Sequence, residues 1–318
     1  MTTSLKGIRV LEMSQIMAGP TCGLLLADLG AEVIKIEKTP SGDDTRNFLP
    51  PDIKGESAAF MMMNRNKKGI ALNLKDRDGV EIFKKMVMNS DVVLENFRKG
   101  TLEKLGIGYD VLSKINPKII LCEISGYGRT GPYADKGGFD LVAQGMSGLM
   151  SITGESIDKP PMKVGAPITD ITAGLLAASG ILAALIHRDK TGEGQKVDTS
   201  LFEAGIVHTY WQSAIAGATG RSPGPLGSAH PLTAPYQAFK TKDKWITVGA
   251  SNQNTWFMLL KAIDREDLQK NEKFSSNLNR KENLKELVDI LNEELIKKTS
   301  SEWLKIFDDN GLPCGPIN

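Results

Sequence analysis

The sequence has few of the residues that build disulfides and metal sites, with three cysteines and three histidines in 318 residues. The cysteines are Cys22, Cys122 and Cys314. They are far apart, odd in number and without CxxC spacing, which argues against a disulfide framework or a structural zinc site. The histidines are equally scattered, so no metal site is predicted. A reducing, cytoplasmic location is expected.

Excess charge and a membrane-length apolar run are also lacking. The 39 basic and 38 acidic residues leave a net charge of +1, which provides no global field for nucleic acid or an anionic membrane, so neither is predicted as a partner. The N-terminus shows no signal-peptide pattern. Residues 171–186 form the longest apolar stretch, which is shorter than the roughly 20 residues that span a bilayer and therefore predicts a buried core helix.

Several motifs that would indicate a cofactor or a nucleophile are missing. The first strand–turn–helix pattern lacks GxGxxG, so an NAD-dependent dehydrogenase is the least favoured of the functions considered for this chain. The Walker loop, GxSxG and SxxK are missing as well. Carboxylates remain as the candidate catalytic groups.

The pattern that is present alternates short apolar strands with helices. Strands are predicted at residues 7–13, 32–37, 69–74, 91–97 and 118–125, with helices between them, which indicates a Rossmann-like parallel α/β sheet. Further helices are predicted over residues 139–153, 201–216 and 280–299. Residues 217–235 are crowded with Gly, Pro and Ser and predict a linker. The chain is therefore divided into a large domain, 1–216, and a smaller α+β domain, 236–318.

Basic residues follow several of the predicted strands, and ligands of open α/β sheets bind at these carboxyl ends. They are Lys38, Arg65, Lys67, Lys68, Arg98, Lys99 and Lys104. Most surface lysines only increase solubility, but their recurrence after successive strands is also typical of a site for a phosphate-bearing ligand. Both interpretations remain open.

Asp170 is the one carboxylate in an apolar setting at a predicted helix start. Pro167 ends any earlier helix, and the residues after Asp170 are uncharged for sixteen positions. A structural N-cap is the commonest role for such an aspartate. An ionised carboxylate between Gly165 and Gly174 is also suited to attack an activated acyl group, because glycines allow a ligand to approach closely.

Longer segments carry a resemblance to a known family: VLEMSQIMAGPTCGLLLADLGAEVIKIEKTPSGDDTR, NRNKKGIALNLK, DVVLENFRKGTLEKLG, ISGYGRTGPYADKGGFDLVAQGMSGLMSITG and VGAPITDITAG. In this order they resemble the class III CoA-transferase family, which includes formyl-CoA and carnitine-CoA transferases. The resemblance runs from about Leu5 to the last residue. It implies a Rossmann-like large domain, a linked smaller domain and a homodimer of interlocked subunits.

The same resemblance implies residue roles, with Asp170 as the catalytic nucleophile. The matching coenzyme A contacts are Met17, Ala18, Lys38, Leu72, Asn73, Leu74, Lys75, Asn96, Phe97, Arg98, Lys104, Lys136, Gly137, Gly138 and Phe139. It implies no tightly bound cofactor, since acyl-CoA is a substrate and a free carboxylic acid accepts the coenzyme A. The route would pass through a mixed anhydride and an aspartyl-CoA thioester. An aspartate with the reference pKa of about 3.9 would be ionised at neutral pH.

The sequence departs from the family pattern in two places. Several members have a glutamine beside the Ala-Gly-Pro turn, where this chain has Met17. The chain also stops at Asn318, where members continue into a segment that returns to the large domain, so truncation is expected.

Two further functions remain alternatives. An α-methylacyl-CoA racemase of this fold would need an acid/base pair, but Phe139 occupies the position of the racemase histidine. A non-catalytic acyl-CoA-binding protein would bind the esters without forming a covalent adduct.

Overall fold

The structure is a computed structural model that describes residues 4–318. This part of the chain forms two compact units. The first contains residues up to Met150 together with Lys163–Tyr210, and the second contains Ser151–Met162 and Trp211–Asn318. The division into domains 1–216 and 236–318 with a linker at 217–235 stays a prediction.

The first unit is built on parallel strands. In chain order the strands are β1 Arg9–Glu12, β2 Glu32–Glu37, β3 Asp52–Ile53, β4 Glu56–Ser57, β5 Lys68–Ala71, β6 Val92–Glu95, β7 Ile120–Ser125 and β8 Lys196–Ser200. Six of them form one parallel sheet in the order β5-β2-β1-β6-β7-β8, while β3 and β4 pair separately as an antiparallel hairpin. The predicted α/β fold with a parallel, Rossmann-like sheet is confirmed.

Helices cover both faces of this sheet. In chain order, the helices between residues 18 and 219 are α1 Ala18–Asp28, α2 Ala58–Met63, α3 Arg77–Val87, α4 Thr101–Lys104, α5 Tyr109–Ile115, α6 Asp140–Met146, α7 Leu149–Ile152, α8 Ile168–Thr191, α9 Leu201–Val207 and α10 Tyr210–Thr219. Successive strand side chains point to opposite faces. Val10 and Val92 therefore join one core cluster with α1 and α8, and Leu11 and Val93 join another with α3 and α5.

The helix α8 is the longest element of the chain, and the prediction of a helix over 171–186 was too short. It has 24 residues and begins at Ile168, which places Asp170 in its first turn. By length and composition it could cross a membrane, but half of its most apolar window is buried inside the protein. It packs closely on α1 at Gly174, where a Cβ would lie 2.7 Å from the Ala18 carbonyl oxygen.

The second unit is an α+β arrangement, as predicted. Its antiparallel sheet has the order β11-β10-β9, with β9 Tyr236–Lys240, β10 Trp245–Gly249 and β11 Cys314–Pro316. Its helices are α11 Gln253–Ala262, α12 Asn277–Glu282, α13 Leu284–Leu295 and α14 Ser300–Asp309. The core includes Phe239, Trp256 and Phe307, all fully buried.

Three predicted helices are interrupted. The helix predicted over 139–153 stops at Met146 and resumes at Leu149, because Gly148 adopts a φ of 84° that no helix continues through. The one predicted over 201–216 breaks at residues 208–209, and the one over 280–299 breaks at Asn283. These breaks leave the order of elements unchanged.

Candidate active site

A cleft of about 320 Å³ opens at the carboxyl ends of β1, β6 and β7, beside the first turn of α8. The chain leaves β1 toward β2 on one side and later returns to β6 on the other, so this is the switch point of the sheet, where ligands of such folds bind. The predicted site residues that line the cleft are Met17, Ala18, Asn96, Phe97, Arg98, Lys136, Gly137, Gly138, Phe139 and Asp170.

The other predicted contacts lie elsewhere in the first unit. Leu74, Lys75 and Lys104 line a separate groove beside α3, and Asn73 precedes them. Leu72 is buried in the core. Lys38 lies 2.6 Å from Asp44 in an exposed ion pair. Whether any of the predicted residues contacts coenzyme A stays a prediction.

Four of the basic residues noted after the strands have carboxylate partners within the protein, the first being Lys38 with Asp44. Arg65 pairs with Asp28 and Lys68 with Glu32, each at 2.6 Å. Lys67 is buried against a carboxylate, as described below. These side chains are engaged in the fold, so they are poorer candidates for phosphate contacts than sequence position suggested.

The tips of β1 and β6 are joined across the switch point by one amide side chain. Asn96 accepts a hydrogen bond from the Gln15 N–H at 2.9 Å and donates one to the Gln15 carbonyl oxygen at 2.8 Å. Both backbone groups of Gln15 are thereby satisfied by a single residue. The arrangement ties the β1 turn, which contributes Met17 and Ala18 to the cleft, to the neighbouring strand end.

Two glycines allow the loop before α6 to close one side of the cleft. Gly138 lies directly against Gly126, so a Cβ on Gly138 would come within 2.5 Å of the Gly126 Cα. Only glycine fits such an approach of two backbones. Gly137 lies beside Arg98, where a Cβ would make ordinary contact at 3.5 Å from the guanidinium.

Cations without a carboxylate partner among residues 4–318 also line the cleft: Arg98, Lys99 and Lys136. The ammonium group of Lys136 lies 3.8 Å from the centre of the Tyr133 ring, which favours a positive charge there. Such cations suit an anionic ligand.

Arg129, which the sequence predictions omitted, has a different role. It pairs with the buried carboxylates of Glu95 and Glu123 and donates to the Phe97 carbonyl oxygen at 3.0 Å. It therefore supports the β6 tip. Its position after β7 was a signal of the same kind as the basic residues that were noted.

Asp170 is partly buried and has no hydrogen bond or ion pair within residues 4–318. Burial, and secondarily the negative charge of Asp140, raise the pKa of Asp170 to about 7. This corrects the expectation of a fully ionised carboxylate at neutral pH, because the reference pKa applies to a solvated group. The prediction that Asp170 lies at or near the helix start is confirmed, but its side chain caps nothing.

The cap of α8 comes from Asp140 instead, a residue that the sequence analysis did not single out. One oxygen of Asp140 accepts from the backbone N–H of Thr169 at 3.0 Å and from the Thr169 hydroxyl at 2.8 Å. The other accepts from Gln144 at 2.8 Å. Because Asp140 accepts the Thr169 N–H, that helix donor does not take up the Asp170 carboxylate, which lines the cleft.

Comparison with known proteins identifies the family. The sequence profile of CoA-transferase family III matches residues 5–318. The chain belongs to CoA-transferase family III. It is a transferase enzyme, and the substrates of its class are coenzyme A thioesters, which confirms the family resemblance noted in the sequence.

Individual relatives agree with this family assignment. The human succinyl-CoA:glutarate CoA-transferase is 41% identical over 314 residues, which cover 99% of this chain and 72% of the human protein. The succinate–glutarate CoA-transferase of Agrobacterium fabrum is 39% identical over 320 residues, covering 99% of this chain and 80% of its own. The crystal structure of a CAIB/BAIF family protein from Brucella suis superposes with a TM-score of 0.87 at 39% identity, covering 100% of this chain and 85% of that one.

Proposed function

We propose that this CoA-transferase III family member moves coenzyme A from an acyl-CoA donor to a free carboxylic acid, with Asp170 as the nucleophile. The observation that carries the proposal is the unpartnered Asp170 carboxylate in a cleft that also presents Arg98 and Lys136. A carboxylate held free of hydrogen bonds keeps its lone pairs for attack. The cations suit the negatively charged coenzyme A and the acid.

The first half-reaction has two steps. A carboxylate oxygen of Asp170 attacks the thioester carbonyl carbon, the C–S bond breaks, and the products are a mixed anhydride and the coenzyme A thiolate. The thiolate then attacks the Asp170 carbonyl carbon of the anhydride, which expels the donor acid as its carboxylate and leaves an aspartyl-CoA thioester. No proton, water or nucleotide is consumed.

The second half-reaction runs the same steps in reverse with another acid. The acceptor carboxylate attacks the aspartyl thioester, releases the thiolate and forms a new mixed anhydride. Attack of the thiolate on the acceptor acyl carbon then gives the new acyl-CoA and restores the Asp170 carboxylate. A pKa of about 7 leaves a large fraction of Asp170 ionised at neutral pH while making the carboxylate more nucleophilic than a solvated one.

Short dicarboxylic acids are the substrate class that the relatives suggest. The human and Agrobacterium fabrum relatives are named for succinyl or succinate and for glutarate. Lys99 adds a third unpaired cation to Arg98 and Lys136 in the cleft, and these charges suit a second carboxylate of the acid as well as the phosphates of coenzyme A. We therefore propose succinyl-CoA and glutarate as the first pair to assay.

A covalent adduct on Asp170 is the expected result that tests the mechanism. Incubation of the protein with succinyl-CoA, without an acceptor, is expected to add coenzyme A to Asp170 through a thioester. Mass spectrometry of the peptide that contains Asp170 detects it, and hydroxylamine is expected to remove it. Asp170→Asn is the matched control, since it retains the size of the side chain but cannot form the anhydride.

The alternative functions predict other outcomes. A racemase would exchange the α-hydrogen of a 2-methylacyl-CoA in deuterated water without an acceptor acid. Phe139 lines the cleft at 70% exposure and cannot transfer a proton, and no histidine among residues 4–318 lines the cleft. A non-catalytic binding protein would retain succinyl-CoA without any hydroxylamine-sensitive adduct.

We further propose a cytoplasmic homodimer, as the family resemblance implies. Leu175 and Ile186 on α8 are 46% and 59% exposed, so part of the longest apolar helix faces outward. An apolar surface of this kind is typical of an interface between subunits. Light scattering at micromolar concentration is expected to give twice the chain mass of 34.5 kDa, and a monomer would contradict the proposal.

A further inference from the structure

Residues 14–20, called turn 14–20 below, connect β1 to α1 and include the first three residues of α1. This segment holds an unfavourable backbone conformation at the edge of the cleft. Ile16 has a φ of 66°, in the left-handed region. A β-branched residue rarely adopts this region, and it persists only where the surroundings hold it. The next two residues, Met17 and Ala18, line the cleft with Asp170. Contacts with the surrounding residues must therefore hold this turn in its conformation.

Two buried lysines hold the two ends of the turn. The ammonium nitrogen of Lys35 lies 2.9 Å from the Ser14 carbonyl oxygen, and that of Lys67 lies 2.9 Å from the Pro20 carbonyl oxygen. The two side chains are 2% and 1% exposed. Each lysine thus donates to the main chain at one end of residues 14–20, although the two are separated by 32 positions in the sequence.

Two buried carboxylates complete the group. Glu12 bridges the lysines, with one oxygen 3.0 Å from the Lys35 nitrogen and the other 2.8 Å from the Lys67 nitrogen. Asp43 places one oxygen 2.9 Å from the Lys35 nitrogen, and the other accepts from the Ile16 N–H at 3.2 Å. We call these four residues, Glu12, Lys35, Asp43 and Lys67, the buried clamp.

Each lysine ammonium group makes two hydrogen bonds and one further ion pair. An ammonium group has three N–H donors. The nitrogen of Lys35 meets three oxygens within 3.0 Å, from Glu12, Ser14 and Asp43. The nitrogen of Lys67 also meets three, the third belonging to Asn64 at 3.0 Å. Neither ammonium can shift without losing a bond to the turn or to a clamp carboxylate.

Stability alone does not explain this arrangement. Buried ion pairs are often no more stabilising than well-packed apolar residues of similar volume, because ionised groups lose their hydration. Instead, the clamp contacts the main chain of turn 14–20 at three points: the Ser14 carbonyl oxygen, the Ile16 N–H and the Pro20 carbonyl oxygen. Gly23 makes room for it, since a Cβ there would lie 1.8 Å from a Glu12 carboxylate oxygen. Gly19 makes room for the turn itself, since a Cβ there would lie 2.1 Å from the Ser14 Cβ.

We propose that Glu12, Lys35, Asp43 and Lys67 are positioning residues that hold turn 14–20 in the geometry needed for coenzyme A transfer at Asp170. The inference rests on the proposed function, in which Asp170 is the nucleophile. The turn matters for that reaction because Met17 and Ala18 line the same cleft as Asp170. Misplacement of a site wall by about 1 Å typically lowers the rate of a reaction about 10²-fold. The clamp acts through the turn, so it contacts no reacting atom itself.

The test uses Gly23→Ala, which displaces the Glu12 carboxylate without changing any charge. Its matched control is Gly217→Ala, another helical glycine, where a Cβ meets no atom within 4 Å. With succinyl-CoA, the rate constant for adduct formation on Asp170 is expected to fall about 10²-fold in Gly23→Ala and less than twofold in the control. The adduct amplitude is expected to be unchanged. A purely structural defect would lower the amplitude, which counts folded molecules, and leave the rate constant unchanged.

A second variant provides an independent test in case Gly23→Ala does not fold. Glu12→Gln with Lys67→Met removes one negative and one positive charge together, so the remaining pair of Lys35 and Asp43 stays balanced. The same fall in rate constant is expected. Hydrogen–deuterium exchange at the Ile16 N–H, followed by mass spectrometry of the peptide over residues 13–21, is expected to accelerate in both variants.

The outcomes separate this inference from the proposed function. Wild-type protein that forms no adduct overturns the proposed function, while faster exchange in the variants would still show that the clamp holds the turn. Folded variants with wild-type rate constants and wild-type exchange overturn the inference. Loss of the folded state in both variants would also overturn it, because the clamp would then hold the fold rather than the turn.

Discussion

Replacing Asp170 by asparagine is expected to abolish coenzyme A transfer, with a loss of roughly 10³–10⁶-fold as is typical for removal of a nucleophile. The side chain keeps its size, so the cleft retains its shape, but an amide cannot attack the thioester carbon. Steady-state transfer from succinyl-CoA to glutarate measures the effect. Transfer at a near wild-type rate would show that Asp170 is not the nucleophile.

The same substitution is expected to stabilise the protein at alkaline pH. The pKa of Asp170 is raised from 3.8 to about 7, so the folded state disfavours the ionised form. The penalty is absent below pH 4, grows between pH 4 and 7 and stays constant above. One pKa unit corresponds to about 1.4 kcal/mol, which makes about 4 kcal/mol the upper bound.

Urea unfolding of both proteins at pH 4 and pH 8 checks this sign. The difference in the free energy of unfolding, Asp170→Asn minus wild type, is expected to be near zero at pH 4 and about 1–4 kcal/mol at pH 8. A variant that is less stable than wild type at pH 8 would show that the folded state stabilises the Asp170 carboxylate, contrary to its burial beside Asp140.

Replacing Asp140 by asparagine is expected to shift the pH dependence of adduct formation toward lower pH. The charge of Asp140 is the second cause of the raised pKa of Asp170, after burial. Without it the pKa of Asp170 falls but stays above its ordinary value, since burial remains. Each unit of fall makes the ionised fraction of Asp170 about tenfold larger at pH 5, well below the pKa.

The control is Asp140→Ala, which separates the charge from the cap. Asparagine keeps an oxygen that can accept from the Thr169 N–H and hydroxyl, whereas alanine loses both bonds. Alanine is therefore expected to lower the free energy of unfolding by about 0.5–2 kcal/mol, and asparagine by less. Rate constants for adduct formation measured from pH 5 to 9 give the midpoints. An unchanged midpoint in the asparagine variant would remove Asp140 from the electrostatics of the site.

The local sequence was sufficient to predict the alternation of strands and helices and to recognise the family. The strands at 32–37 and 118–125 were predicted within two residues of the observed β2 and β7, because β-branched residues recur in both segments. Asp170 was found because proline and an uncharged run bound its helix. The family segments are contiguous, so they can be recognised from the sequence alone.

What local sequence could not supply is the pairing of groups that are distant in the chain. Lys67 was grouped with exposed lysines such as Lys38, and Lys35 was not singled out. Only the fold places both ammonium groups beside turn 14–20. Parallel pairing sets Glu12 opposite Lys35, a register fixed by strand order rather than by neighbouring residues.

The protonation of Asp170 and the cap of α8 also depend on groups that are distant in the chain. The pKa of Asp170 depends on desolvation, which exists only once α8 is packed, and on Asp140, which lies thirty residues earlier in the chain. The sequence by itself determined which residue types are available and the order of the strands and helices that carry them. The tertiary structure alone decided which charged groups are desolvated and which form ion pairs, because burial and distance are properties of the packed chain.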